Sequence, residues 1–272
     1  MCYFPISQFG PALVRDVAIL LVYRAARVPC LIHLHGSLLP GRFGQPVTGY
    51  LLRHLLPQQT WIALAPEISR SFPPRWTTKV VANPLPPSLT ERSIGRASPD
   101  APLRVGWLGL ICREKGVDLL LKACRDTPGV ELTLAGEWGA LPKETWTASY
   151  VGHLDRTDAL RFWSDKDACI LPSRVREGLP MTLLEALEAG VIVAATGSLG
   201  VEGLIKAGAV REIDASVASI RSLLESLMSE ESRVRQLETQ QSAWRSIRKQ
   251  YDRSQIRLEF QKVALSVLSS RF

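Results

Sequence analysis

The sequence predicts an α/β protein built on parallel sheets. Three observations carry that expectation. Short apolar runs alternate with helical patterns along most of the 272 residues. The runs are bounded by Gly, Pro or Asp, as buried parallel strands are. A Pro/Ser-rich stretch at residues 83–102 (NPLPPSLTERSIGRASPDAP) separates two such alternating regions and reads as a linker between domains. Hydrophobic residues make up 46% and charged residues 22%, which excludes a disordered or collagenous chain and leaves ample material for a core.

Before the linker, a helical run over 12–27 precedes an apolar strand over 28–34. A second helical run around Leu51 precedes a strand over 61–64, and 79–82 reads as a further strand. After the linker, residues 103–111, 130–135, 168–171 and 191–195 read as strands, with helical spacing over 117–125, 156–163 and 181–189 between them. The tail, 233–272, has no glycine and predicts one or two amphipathic helices broken near 251–253. The division that follows is 1–98, 99–250 and a C-terminal helix at 251–272.

The net charge of +7 is unevenly spread. Residues 1–98 carry ten Lys or Arg against three Asp or Glu, 99–232 carry 14 against 20, and 233–272 carry nine against three. Basic ends around an acidic middle point to parts with different partners. Nucleic acid is not indicated: there is no zinc-finger spacing, no aromatic RNP-like run and no basic heptad pattern. No apolar run approaches the length of a membrane span; the best, 17–23, is cut at Arg24. The N-terminus, MCYFPISQFG, lacks the pattern of a secretory signal. Five scattered cysteines without a CxxC pair read as free thiols, so a cytoplasmic setting is expected.

The densest chemistry lies in PSRVREGLPMTLLEA, residues 172–186. A strand ends, a loop follows, and a helix starts with Pro180 in its first turn. Gly178 permits close backbone approach, and the free N–H groups of the helix start favour an anion such as a phosphate. Open α/β sheets bind ligands at the carboxyl ends of their strands, where this loop sits. Glu177 on the loop and Glu185 on the helix can reach two ends of an elongated polyol. The alternative is that Glu177 only favours the helix start and Glu185 is a solvated helix face. In HLHGS, His33 and His35 share one strand face, with His35 at the carboxyl end. His33, among apolar neighbours, reads as a core histidine. A zinc site would need third and fourth ligands, and His54 and His153 lie in unrelated contexts, so no metal is expected.

Glu177, seven residues, then Glu185, within PSRVREGLPMTLLEALEAG, resembles the E-x7-E segment of retaining glycosyltransferases with the GT-B fold, most of all glycosyltransferase family 4. WLGLICREKGVDLLLKA is similar to the segment that opens the family's C-terminal domain. VELTLAGE, SYVGHL and DACILPS follow in the family's order, and HLHGS and KVVANPLPP resemble turns of its N-terminal domain. The resemblance implies two Rossmann-like lobes facing a cleft and a nucleotide-diphosphate sugar donor held by the C-terminal lobe. By it, Glu177 would hydrogen-bond the donor sugar with backbone N–H groups around Gly178 and Leu179, and Glu185 would bind the ribose. Lys115, after the turn at Gly109 and Arg113, would neutralise the departing diphosphate without a metal or other cofactor, and His35 would line the donor sugar.

The sequence departs from the family at three places. Leu110 stands where an arginine is usual, with Arg113 nearby as a substitute. Glu202 matches the acidic residue of a later turn but lacks its proline. One or two βα units of the N-terminal lobe are missing from the start, so that lobe is expected to be incomplete. The family's C-terminal helix returns to the N-terminal lobe, which here would join both basic segments on one side. That suits an anionic cytoplasmic leaflet and a glycan or lipid-linked acceptor. Two competing expectations are a degenerate subunit that binds a nucleotide sugar or a partner enzyme without turnover, and a nucleotide-sugar epimerase.

Overall fold

The computed structural model describes residues 1–42, 45–56, 59–86, 101–142, 148–198 and 200–269. The chain forms two parallel sheets with helices between their strands. The first contains β1 (Cys2–Pro5), α1 (Gly10–Ala25), β2 (Cys30–Leu34), α2 (Leu38–Arg42), α3 (Pro46–Leu55), β3 (Thr60–Ala63), α4 (Pro66–Arg70) and β4 (Thr77–Val80). Its strands lie in simple order, β1-β2-β3-β4, with Ile32 opposite Trp61 and Ile62 opposite Lys79.

The second follows with β5 (Leu103–Leu108), α5 (Val117–Arg125), β6 (Val130–Ala135), β7 (Ser149–Tyr150), α6 (Arg156–Arg161), β8 (Ala168–Leu171), α7 (Met181–Glu188), β9 (Ile192–Thr196), α8 (Glu202–Lys206), β10 (Arg211–Ile213), α9 (Val217–Ser226), α10 (Glu230–Ile247) and α11 (Arg253–Ser269). Its order is β10-β9-β8-β5-β6-β7, all parallel. The chain therefore starts in the middle with β5, runs outward through β6 to β7, and returns to the other side of β5 with β8. Such a reversal leaves a crevice at the carboxyl ends of the two central strands.

Most elements lie where the periodicity places them, and the differences have local causes. The strand expected over 103–111 stops at Leu108, because Gly109 turns to a φ of +147° that ends the ladder. The helix expected over 156–163 becomes a tighter 3-10 turn at Phe162–Asp165, which drives Trp163 fully inward. A side chain at Gly106 would collide with the Trp163 and Phe162 rings, so these aromatics pack directly on the backbone of β5. Of the linker read at 83–102, residues 87–100 lie outside the described residues.

In the first sheet Trp61 stacks on Trp76 with ring centroids 5.0 Å apart, and Phe72 closes the cluster. In the second, the buried Gln240 of α10 accepts from the Val193 N–H at 3.0 Å and donates to its carbonyl at 2.8 Å. It thus bonds the backbone of β9 as a neighbouring strand would. Trp244 of α10 donates to Glu188 at the end of α7, and Arg248 grips the same carboxylate at 2.6 Å. After a 3-10 turn at Arg248–Tyr251, α11 packs on the first sheet, where Ile256, Val263 and Val267 bury against Leu31, Ile62 and Val81. Ile256→Ala is expected to destabilise the chain by about 2–4 kcal/mol. Urea unfolding measures it, and an unchanged midpoint would show that α11 contributes nothing to the first sheet's stability.

Candidate active site

Two loops meet in the crevice. One follows β5 and runs from Gly109 to Gly116; the other follows β8 and runs from Pro172 to Pro180. They are fastened to each other by the backbone. The Arg174 N–H donates to the Glu114 carbonyl at 2.9 Å, and Gly116, at φ +73°, lies so close to the Pro172 carbonyl that any side chain there would collide with it. Arg174 also donates to the Arg113 carbonyl and clamps Asp118 at 2.6 and 2.8 Å. Burial alone would raise the Asp118 pKa, but the guanidinium outweighs it and holds the carboxyl below its usual range.

Lys115 and Glu177, 62 residues apart in the chain, come together at this junction. The Lys115 Nζ donates to both carboxylate oxygens of Glu177, at 2.5 and 2.7 Å. The Ser173 hydroxyl donates to the same carboxylate at 2.8 Å. A charge-assisted pair with a third bond is a well-fixed polar group, and it stands at the switch point of the sheet.

The first sheet supplies the facing wall. The Ser37 hydroxyl, just beyond β2, donates to the Glu177 carbonyl at 2.6 Å, and Asn83 donates to the Leu179 carbonyl at 2.7 Å. Gly178 is buried against the His35 carbonyl and the Gly36 Cα, and the backbone of Gly200 lies against its carbonyl. His35 is exposed at this wall, its ring 4.1 Å from that of His33.

His33 itself is buried, and its Nδ1 bonds the Tyr3 hydroxyl at 2.7 Å. Burial, with His35 adding to it, lowers the His33 pKa to about 4 from 6.5. As pH falls, the unfolded chain takes this proton first. The stability contributed by neutral His33 is therefore complete above pH 6.5 and is lost between 6.5 and 4, a loss on the order of 3 kcal/mol. His33→Leu should flatten that part of the stability profile; identical slopes in both proteins would refute the assignment.

The remaining candidates are placed as follows. Glu185 sits on α7, partly buried, and burial pushes its pKa up while Arg156 counters part of that rise. Gly109 ends β5, and Leu110 after it is exposed. Arg113 is exposed, and its carbonyl accepts from Arg174 and Gly116. Glu202 opens α8, pairs with Lys206 at 2.6 Å and lines a cavity of about 390 Å³ with Arg176 and Ser198. Ser37, Asn83 and Ser173 hold the site but were not singled out by sequence; Ser173 was legible only as part of the 172–186 segment. Among the described residues no group of three or more His, Cys, Asp or Glu is placed to hold a metal ion, and no helix is long and apolar enough to cross a membrane.

A model of the family described as glycosyl transferases group 1 matches residues 96–243, more than half of the chain. The chain belongs to that family. Among curated relatives, glycogen synthase of Mycobacterium tuberculosis (strain CDC 1551 / Oshkosh) is 31% identical over 147 residues, covering 46% of this chain and 34% of that protein. The chain thus spans about a third of the length of the curated relatives it matches. Anabaena Alr3699/HepE, solved in complex with UDP and glucose, superposes with a TM-score of 0.69 at 18% identity over 94% of this chain and 76% of that one. Sucrose-phosphate synthase from Thermosynechococcus elongatus gives 0.71 at 13% identity over 98% and 73%. At such identities the likeness establishes the fold, and this group 1 chain has the GT-B architecture of two Rossmann-like sheets facing a cleft.

Proposed function

We propose that the chain is a family 4 glycosyltransferase that moves a sugar from a nucleotide-diphosphate sugar to an acceptor with retention of configuration. The observation that carries this reading is the Lys115–Glu177–Ser173 group at the switch point, faced by His35 and Ser37 of the other sheet. Membership of the group 1 family supports it independently.

In this reading the C-terminal lobe, 99–250, holds the donor. Glu185 takes the ribose hydroxyls and Glu177 those of the donor sugar, while the backbone at Gly178 and Leu179 shapes the sugar pocket. Lys115 sits where negative charge grows on the leaving diphosphate, so its ammonium supplies the stabilisation that a metal supplies elsewhere. Arg113, Gly109 and Glu202 complete the donor side. The acceptor hydroxyl enters on the face that the diphosphate leaves. The departing phosphate oxygen can then take its proton, and the chain need supply no nucleophile. His35 orients the sugar from the N-terminal lobe, 1–98.

For the acceptor we propose a cell-surface glycan or its lipid carrier at the inner face of the membrane. Its support is electrostatic: α11 packs on the first sheet and adds Arg253, Arg257 and Lys262, against Glu259, to a segment, 1–98, that already carries ten Lys or Arg against three Asp or Glu. Binding to anionic vesicles at low salt should exceed binding to neutral ones and fade as salt rises; equal binding would remove the membrane from the proposal.

The exposed Leu110, where the family's arginine is usual, favours a second reading: a nucleotide-sugar-binding subunit without turnover. Incubation with UDP-, ADP- and GDP-sugars separates the two. Release of nucleotide diphosphate with a product of unchanged anomeric configuration supports transfer. Binding without release supports the subunit.

A further inference from the structure

A second cavity lies at the opposite end of the second sheet from the cleft. The Lys115–Glu177 site is at the carboxyl ends of β5 and β8; this cavity opens where the parallel strand β10 begins. It is an open depression of about 450 Å³, and Arg211, Ser232, Arg235 and Thr239 around it are exposed. Arg211 from β10, Ser226 at the end of α9, and Ser232, Arg235, Gln236 and Thr239 of α10 line it, and among the described residues no carboxylate does.

The lining is rich in donors. Arg211 Nη1 donates to Gln236 Oε1 at 2.9 Å and to Ser226 Oγ at 3.3 Å. Arg235 is largely exposed, and its contact with Glu231 one turn back, at 3.4 Å, is a solvated pair of little strength. Gln236 spends its carbonyl oxygen on Arg211. Its Nε2 is buried and has no acceptor among the described residues. A buried amide nitrogen with two N–H groups and no partner is an unusual cost in a folded chain, and it marks a place where an acceptor belongs.

We propose that this cavity binds a phosphate monoester of a small polyol, such as a sugar phosphate. The Arg211 and Arg235 guanidinium groups meet the phosphate oxygens, Gln236 Nε2 donates to one of them, and the Ser232 and Thr239 hydroxyls meet the polyol. The helix that carries four of these residues also reaches toward the first sheet. Trp244 of α10 holds Glu188 of α7, and the Tyr251 carbonyl just beyond accepts from the Leu85 N–H at 2.8 Å. A ligand here therefore sits on the element that leads from one sheet to the other.

The test is calorimetry on the full chain with glucose 6-phosphate, inorganic phosphate and glucose. Glucose 6-phosphate is expected to bind at a single site, phosphate more weakly, and glucose not at all. Arg211→Gln and Arg235→Gln should each weaken binding by about tenfold or more. Gln236→Leu, which removes the unpartnered nitrogen together with the oxygen that holds Arg211, should also weaken it, and Lys115→Ala should leave it unchanged. Three results would overturn the assignment: no binding of glucose 6-phosphate; binding of inorganic phosphate alone; or binding that survives Arg211→Gln but is lost in Lys115→Ala, which puts the anion in the cleft.

Discussion

Glu177→Ala is expected to lower the rate of sugar transfer by roughly two to three orders of magnitude, the scale seen when one fixed polar group is removed from a transition-state site. The carboxylate holds the Lys115 ammonium at 2.5 and 2.7 Å and receives the Ser173 hydroxyl, so its loss frees the cation as well as removing a sugar contact. Glu177→Gln should recover little, because the amide keeps a hydrogen bond but not the charge that positions Lys115. The double variant with Lys115→Ala should be scarcely worse than either single one, since the two act as a unit. Stability should change far less. The side chains are 31% and 20% exposed, and a pair this open to solvent contributes about 1 kcal/mol or less. Transfer at the wild-type rate by Glu177→Ala would remove the pair from the mechanism.

Gly178→Ala is expected to be nearly as damaging without touching any charged group. The new methyl would run into the His35 carbonyl and the Gly36 Cα, which are backbone and cannot swing aside. Gly200 crowds the same residue, because its own backbone lies against the Gly178 carbonyl. The two sheets must then part by a fraction of an ångström to an ångström at the site. A displacement of that size costs about a hundredfold in rate, and the overpacking costs about 1–3 kcal/mol in stability. Steady-state kinetics with a denaturation curve read both effects. Wild-type kinetics in this variant would mean that the His35–Gly178 contact does not set the geometry of the cleft.

Much of the fold was legible because parallel strands buried on both faces read as continuous apolar runs. Residues 130–135 and 168–171 are strands over the expected span, and 117–125 is the expected helix. The elements that escaped notice are three short edge strands and the helices α2, α4, α8 and α9. β7 is two residues long and β10 begins with two exposed charged residues, so neither carries an apolar run; β1 is apolar but only four residues long, and it ends in a proline. The individual candidate residues were named from their loops and from resemblance. Their meeting was not: Lys115 reaches Glu177 only because β8 returns to the side of β5, a fact of strand order that no local spacing encodes. Contacts made between sheets, such as Ser37 with the Glu177 carbonyl and Asn83 with the Leu179 carbonyl, were hidden for the same reason. Arg174 reads in sequence as one more loop cation. In the fold it clamps Asp118 and the loop that carries Lys115.

The most direct measurement is a thermal-shift series with UDP, ADP and GDP and their common sugar conjugates, run on the wild type and on Lys115→Ala. One nucleotide family should stabilise the wild type selectively. At about 100 times its Kd that stabilisation is about 2.7 kcal/mol, or roughly 5–10 °C for a chain of this size. The shift should shrink sharply in Lys115→Ala. No shift with any nucleotide, or an equal shift in both proteins, would contradict a donor site built on the Lys115–Glu177 pair.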